Sequence, residues 1–301
     1  MSSPDSARAT APAAGPSAAA PGTAARPVAL VTGAARRIGR QIALELAGAG
    51  WDVALHCHHS RREAESLAAE ITAAGPGRRA EVFAADLADA AACEALVPAV
   101  LLRLGRLDAV VNNASLFEYD DVAGFTVGAM DRHWRANTAP AILLARALHE
   151  HLAAEWAAEP DRDGLATAAD RPRRSGCVVN LLDQKLANPN PDYFSYTLSK
   201  AALEAATVML AQALAPVLRV VGVSPGVTLV SGPMTEAQFV AAHQLTPLKR
   251  SSTPEDIARA VRFALESPAI TGTTLLIDGG QHLLGQPRDV LFLAQQAPAS
   301  L

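Results

Sequence analysis

Val28-Ala29-Leu30-Val31-Thr32-Gly33-Ala34-Ala35-Arg36-Arg37-Ile38-Gly39 joins a short apolar run to an amphipathic stretch through a turn that carries two glycines. The run reads as a buried strand and Ile38–Ala49 as a helix, so the turn links a strand directly to a helix N-terminus. Gly33 permits the tight turn and Gly39 lets the helix approach the strand. Free backbone N–H groups at the helix start, around Arg36, Arg37 and Ile38, can hold a pyrophosphate. An ordinary strand-to-helix turn would carry the same glycines, so the rest of the chain must decide.

Outward from that turn the pattern alternates. Strand candidates at Val28–Val31, Asp52–His56, Glu81–Ala84, Ala109–Asn112, Cys177–Leu181, Arg219–Val223 and Thr273–Ile277 are separated by helical patterns at Ile38–Ala49, Arg62–Ala74, Ala90–Leu104, Ala139–Ala153, Lys200–Leu214 and Pro254–Glu266. This rhythm predicts an α/β fold: a single doubly wound Rossmann domain over 27–301 with a parallel sheet of about seven strands. Residues 1–26 are almost all Ala, Ser, Pro, Gly and Thr, offer no apolar face, and read as a disordered extension. Only Arg8 and Arg26 are basic there and Asp5 interrupts the stretch, which argues against an organelle-targeting segment. Glu155–Arg174 reads as a surface loop, and 227–248, rich in Pro, Gly and Thr, as a mobile substrate flap in which Leu229 and Met234 are candidates to touch substrate.

Composition narrows the function classes. Among 301 residues, 26 basic against 30 acidic side chains give a net charge of −4, which removes the footprint of a nucleic-acid binder. Cys57, Cys93 and Cys177 form neither metal-ligand spacing nor a disulfide framework, so a reducing, cytoplasmic setting is expected. No run is long and apolar enough to predict a membrane span.

The end of the second strand bears on the nucleotide. An acidic residue there grips a ribose 2′-hydroxyl, but this segment reads His56-Cys57-His58-His59-Ser60-Arg61-Arg62. His58, His59 and Ser60 offer donors to a 2′-phosphate, so NADPH is the expected cofactor; a solvated basic helix start remains the alternative. The histidines have no carboxylate among them and predict no metal site. Asp86 and Leu87 after the third strand, and Asn112-Asn113-Ala114-Ser115 after the fourth, complete a rim at the carboxyl ends of the strands.

Together with Tyr196-Thr197-Leu198-Ser199-Lys200, Ser224-Pro225-Gly226, Thr271-Gly272-Thr273 and Asp278-Gly279-Gly280, in this order, these segments resemble the short-chain dehydrogenase/reductase family over essentially all of Val28–Leu283. The resemblance implies that Asp86 contacts adenine and that Asn112 and Ala114 line the path of ribose and nicotinamide. It also implies that Pro225 and Gly226 border the cofactor, that Asn137 holds a water of a proton relay, that Lys200 binds the ribose, and that the protein is a homotetramer. Tyr196 and Lys200 stand four apart and share a helix face, so an ammonium beside the phenol is expected to lower its pKa and make it a usable proton donor.

Two departures from the common family pattern coincide with a third motif. Asp183 stands thirteen residues before Tyr196, where most members carry serine; Arg37 replaces the middle glycine of the turn; and Asn113-Ala114-Ser115-Leu116-Phe117 follows the fourth strand. All three resemble the pteridine reductases. That resemblance implies that Ser115, Phe117 and Tyr193 line a substrate pocket, with the Phe117 ring and nicotinamide sandwiching a flat pterin, and that Arg37, Asp183 and Tyr196 face the substrate. His59 stands where an arginine is more usual, which puts weight on Arg61 or Arg62 for the 2′-phosphate. Phe117 also reads as a plain loop anchor and Arg37 as a helix-start cation. The expected activity is NADPH-dependent reduction of a pterin, with reduction of another small carbonyl substrate as the alternative and a non-catalytic dinucleotide-binding protein as a third. Arg288 in the tail is a candidate to reach a neighbouring subunit's site.

Overall fold

The computed structural model of the chain describes residues 26–158, 174–230 and 234–296. The expected extension up to residue 25, most of the Glu155–Arg174 loop and part of the flap lie outside the described residues.

Among the described residues, seven strands form one sheet in the order β3-β2-β1-β4-β5-β6-β7, every pairing parallel. They are β1 (Val28–Val31), β2 (Asp52–Cys57), β3 (Ala80–Ala84), β4 (Ala109–Asn112), β5 (Gly176–Leu181), β6 (Leu218–Pro225) and β7 (Thr274–Ile277). The helices are α1 (Arg37–Gly48), α2 (Arg61–Ala73), α3 (Ala90–Leu104), α4 (Val127–His133), α5 (Ala139–Ala158), α6 (Phe194–Leu214), α7 (Glu236–Gln244), α8 (Pro254–Glu266) and α9 (Val290–Gln296).

Side-chain alternation along β1 explains the double winding. Val28 and Leu30 face one side, where they join Leu96 and Val100 of α3 and Leu144 and Leu148 of α5. Ala29 and Val31 face the other, with Ile42 and Leu46 of α1 and Ile257 and Val261 of α8. Most of these side chains are fully buried, and each Val, Leu or Ile so placed contributes about 1.5–3 kcal/mol against the cost of ordering the chain. The strand order reverses between β1 and β4, which opens a crevice at their carboxyl ends.

Four differences from the sequence expectations bear on the site. Helix α6 starts at Phe194 rather than near Lys200, so Tyr196 already lies in its first turn. Helix α5 runs on to Ala158 because the Ala-Ala-Glu-Trp-Ala-Ala stretch continues its register, and only the remainder of the expected loop lies beyond it. The expected flap contains a regular helix, α7, whose start is fixed by a reciprocal capping box between Thr235 and Gln238. Finally, α4 passes into a π-helical segment, Trp134–Thr138, that delivers Asn137; its mixed polar sequence gave no helical period to read.

Candidate active site

The glycine turn is built by close approach. Gly33 has φ +61°, and a Cβ there would lie 3.1 Å from the Ala114 Cα; a Cβ on Gly39 would lie 2.3 Å from the Gly33 carbonyl oxygen. Asn113 stitches the turn to β4: its Nδ2 donates to the carbonyls of Thr32 (2.9 Å) and Gly33 (3.2 Å), while Thr32 Oγ1 accepts from the backbone N–H groups of Asn113 (2.9 Å) and Ala114 (3.0 Å). His56, which sequence reasoning left without a role, accepts from the Gly33 N–H through Nδ1 (3.2 Å) and faces the Ala85 carbonyl with Nε2 (3.1 Å). Burial holds its pKa below the usual histidine value, which keeps the neutral tautomer that this arrangement needs.

Arg37, at the position of the family's middle glycine, keeps a glycine-like backbone with φ +54°, at a cost of about 1–2 kcal/mol for a residue with a Cβ. Its guanidinium donates to the Val230 carbonyl at 3.0 Å and so spans from the turn to the flap.

Above the crevice lies a cavity of about 510 Å³. One wall is the turn, with Gly33, Arg36, Arg37, Ile38 and Gly39; the next is the loop after β4, with Asn113, Ala114, Ser115 and Phe117. Asp183, Tyr193, Tyr196 and Lys200 close the third side, and Pro225 and Gly226 at the end of β6 lead to Leu229 and Met234 of the flap. The expected site residues on these elements are therefore brought together.

Others stand apart from the cavity. His58 and His59 stack on each other with ring centroids 3.5 Å apart beyond β2, on an exposed ledge beside Ser60, with His58 Nδ1 4.0 Å from Asp86 Oδ1. Arg61 is engaged by Glu65 and Arg36 by Glu63. Two of the expected cofactor residues turn their side chains away from the cavity: Leu87 packs into the core near Phe83 and Leu96, and Asn112 is buried with its Nδ2 donating to Asn180 Oδ1 at 2.8 Å, which leaves their main-chain atoms to face a cofactor. Asn137 also lies behind the wall. Its Oδ1 accepts from the Leu116 N–H (2.7 Å) and its Nδ2 donates to the Leu116 carbonyl (3.0 Å) and to Ser199 Oγ (2.9 Å), so the side chain ties the Phe117 loop to α6.

Tyr196, only 7% exposed, donates its hydroxyl to Asp183 Oδ2 at 2.9 Å. The other oxygen, Oδ1, accepts from the Lys185 N–H at 2.9 Å. Lys200 Nζ donates to the Leu181 carbonyl at 2.7 Å and lies 5.9 Å from the Tyr196 ring centroid. This geometry corrects the expected sign of the tyrosine shift. Burial first, and then the charge and hydrogen bond of Asp183, push the Tyr196 hydroxyl well above the ordinary phenol value. Burial also raises Asp183 and pulls Lys200 down to about 8. The ammonium is aimed at the end of β5 while the carboxylate touches the phenol directly, so Asp183 outweighs Lys200. The pair is built to hold a proton.

Phe117 is 41% exposed, with one ring face stacked on Tyr193 (centroids 4.2 Å, 15°) and an edge contact to Tyr196 (4.6 Å, 87°). Sequence reasoning missed Lys185, Asp289, Val290 and Leu291 in the wall. A signal existed for the last three: Asp289 precedes the apolar run Val290-Leu291-Phe292-Leu293 as a helix cap does, and its Oδ1 accepts from the Leu291 N–H at 3.1 Å. Arg288, considered for a neighbouring subunit, pairs with Asp192 of its own chain at 2.8 Å.

Comparison with known proteins places this architecture. The family profile described as short chain dehydrogenase matches residues 27–239. Pteridine reductase 1 of Leishmania tarentolae is 33% identical over 285 residues, covering 85% of this chain and 96% of that protein. The 3-oxoacyl-[acyl-carrier-protein] reductase FabG of Staphylococcus aureus is 33% identical over 270 residues, covering 85% and 98%. The crystal structure of FolM alternative dihydrofolate reductase 1 from Brucella canis, complexed with NADP, superposes with a TM-score of 0.74 at 38% identity, covering 86% of this chain and 96% of that one.

Proposed function

Because this chain belongs to the short chain dehydrogenase family, we propose that it is an NADPH-dependent reductase of pterins, acting on dihydropterin rings such as those of dihydrobiopterin, dihydromonapterin or dihydrofolate. The observation that carries the substrate class is the Tyr196–Asp183 hydrogen bond beneath the exposed Phe117 ring. Reduction of a ketone and reduction of a pterin C=N bond each consume one hydride and one proton. What favours the pterin is the carboxyl of Asp183 beside the phenol, in place of the usual serine hydroxyl. An acid/base group suits an amidine-like nitrogen system, whereas a hydroxyl donor suits a carbonyl oxygen. Similarity to a pteridine reductase and to an alternative dihydrofolate reductase supports the same substrate class.

The turn fits a dinucleotide. Its two glycines leave space that a Cβ would fill, and the first N–H groups of α1 open onto the cavity beside Arg36 and Arg37. NADPH, when bound, supplies the hydride. The turn would hold the pyrophosphate, Lys200 the ribose, and the His58–Ser60 segment, which has no acidic residue at the end of β2, the 2′-phosphate. Tyr196 delivers a proton to a ring nitrogen of the substrate, Asp183 polarises Tyr196 by accepting its hydrogen bond, solvent resupplies the proton, and Asn137 positions the Phe117 loop. Phe117 stacks on the flat ring.

The protein acts as a homotetramer in the cytoplasm. Exposed apolar side chains on α6 (Leu198, Val208, Met209), on α8 (Phe263) and on β7 (Leu276) support self-association. Among the described residues no helix is long and apolar enough to cross a membrane.

The test follows NADPH absorbance with the three dihydropterins beside a ketone panel. Turnover of a pterin is expected; reduction of ketones alone would overturn the reading in favour of a carbonyl reductase, and tight cofactor binding without turnover would favour a binding protein. In the same assay Phe117→Ala is expected to raise the pterin KM about tenfold by removing the stacking surface, with the NADPH KM unchanged. An unaltered pterin KM would remove Phe117 from the substrate site.

A further inference from the structure

Four charged side chains meet where the C-terminal segment crosses the cavity. Asp192, almost fully buried, accepts from Arg288 Nε (2.8 Å) and Nη2 (2.8 Å) and from the Asp289 N–H (2.7 Å). Lys185, 5% exposed, donates to the Asp192 carbonyl, and its Nζ lies 3.5 Å from Asp289 Oδ2. Lys185 therefore grips two carboxylates at once: Asp183 through its main-chain N–H and Asp289 through its side chain. Both carboxylates line the same cavity. An anchor for the tail would need only the Arg288–Asp192 pair at the rim and the Asp289 cap on α9, neither of which calls on the Lys185 side chain. Withdrawing a further lysine from water costs hydration that such an anchor does not require.

We propose that Asp289, fixed by Lys185, is a positioning residue for proton delivery, whose negative charge keeps the proton on the Asp183–Tyr196 pair until the substrate takes it. The proposal rests on that pair being the proton source. A carboxylate that lines the same cavity as two weak acids disfavours the ionisation of both, and Asp289 acts in that direction on Asp183, Tyr193 and Tyr196, whereas Lys185 acts the other way on Asp183. The remaining groups that face the pair leave this role open to Asp289. Lys200 on α6 is committed to the Leu181 carbonyl. His133 on α4, 6.4 Å from the Tyr196 ring, has both ring nitrogens engaged, with the Ala129 carbonyl and the Glu118 N–H. Asp192 and Arg288 form a two-bond pair at 2.8 Å, tighter than the 3.5 Å between Lys185 Nζ and Asp289 Oδ2, so less of the Asp289 charge is cancelled.

The test uses the full chain labelled with carboxyl-¹³C aspartate, the Asp183 resonance being the one lost in Asp183→Asn. Its titration midpoint is expected to fall by on the order of one pH unit in Asp289→Asn and to return in Asp289→Glu. The alkaline limb of kcat, read on whichever substrate the wild type reduces, should move the same way, with the NADPH KM constant. Arg288→Ala, which loosens the tail but keeps the Asp289 charge, should leave the midpoint in place. A midpoint and limb unmoved in Asp289→Asn would reduce Asp289 to an anchor and overturn the proposal. Should that variant not fold, Asp289→Ser, which keeps a capping oxygen for α9 and loses the charge, carries the test with the same sign, and an unmoved midpoint there is equally fatal. The resonance titrates without turnover, so a wild type inert towards pterins overturns the functional reading separately.

Discussion

Tyr196→Phe is expected to lower kcat for pterin reduction by about 10²–10⁴-fold, the range associated with removing a positioned proton donor, while NADPH affinity stays unchanged. The phenol is buried, its hydroxyl is 2.9 Å from Asp183 Oδ2, and its pKa is raised, so it is fully protonated at neutral pH and its proton has a defined path. The Lys200 ammonium cannot substitute for it, because it is held at the Leu181 carbonyl. In the variant Asp183 loses a hydrogen bond that favours its ionised form, so burial drives it further towards the neutral acid. Asp183→Asn should also slow turnover, since the amide keeps the shape and loses the exchangeable acid. Steady-state kinetics beside a fluorescence titration of NADPH separates the two effects. A Tyr196→Phe enzyme that keeps its rate would place the proton source elsewhere, with Asp183 the first candidate.

Gly39→Ala is the second large expectation, and it acts on cofactor binding. The new Cβ would lie 2.3 Å from the Gly33 carbonyl oxygen and 2.5 Å from Asn113 Nδ2. Neither can retreat freely: the first is backbone in a left-handed turn, and the second also donates to the Thr32 carbonyl. Overpacking of this kind costs about 1–3 kcal/mol, and the strain falls on the turn that cradles the pyrophosphate. An NADPH Kd weakened by about tenfold or more is expected, with a lowered Tm. Gly48→Ala on the same helix is the control. Nothing lies within 4 Å of its Cβ, so relief of the glycine penalty should stabilise the protein by up to about 1 kcal/mol. If both variants bound NADPH like the wild type, the turn would not be the cofactor cradle.

The sheet was legible because β-branched runs and amphipathic runs follow different periods, and the order of motifs along the chain fixes which strand ends meet. Asp183, Tyr196 and Phe117 could be singled out from sequence because each departs from, or completes, a local pattern. The electrostatics of the pair could not. Spacing puts Lys200 and Tyr196 on one helix face, but only the structure shows the ammonium turned to Leu181 and the carboxylate in contact with the phenol, which reverses the sign of the shift. Lys185 and Asp289 lie more than a hundred residues apart and meet only because the tail folds back over the loop after β5. His56 looked like one more polar group in a histidine-rich segment, although its ring is what holds the Gly33 N–H.

That last contact limits acid tolerance. The His56 ring accepts from the glycine turn only while it is neutral, and its pKa is lowered by burial, so the unfolded chain takes up its proton more readily than the folded one. The stabilisation it gives is complete above the ordinary histidine value of about 6.5 and drains away as pH falls through the lower, folded value. Protonation there converts the acceptor into a donor facing another N–H, inside the loop that receives the cofactor's phosphates. Acid thus attacks the protein at its nucleotide cradle, and bound NADPH, by occupying that loop, should protect the contact against it.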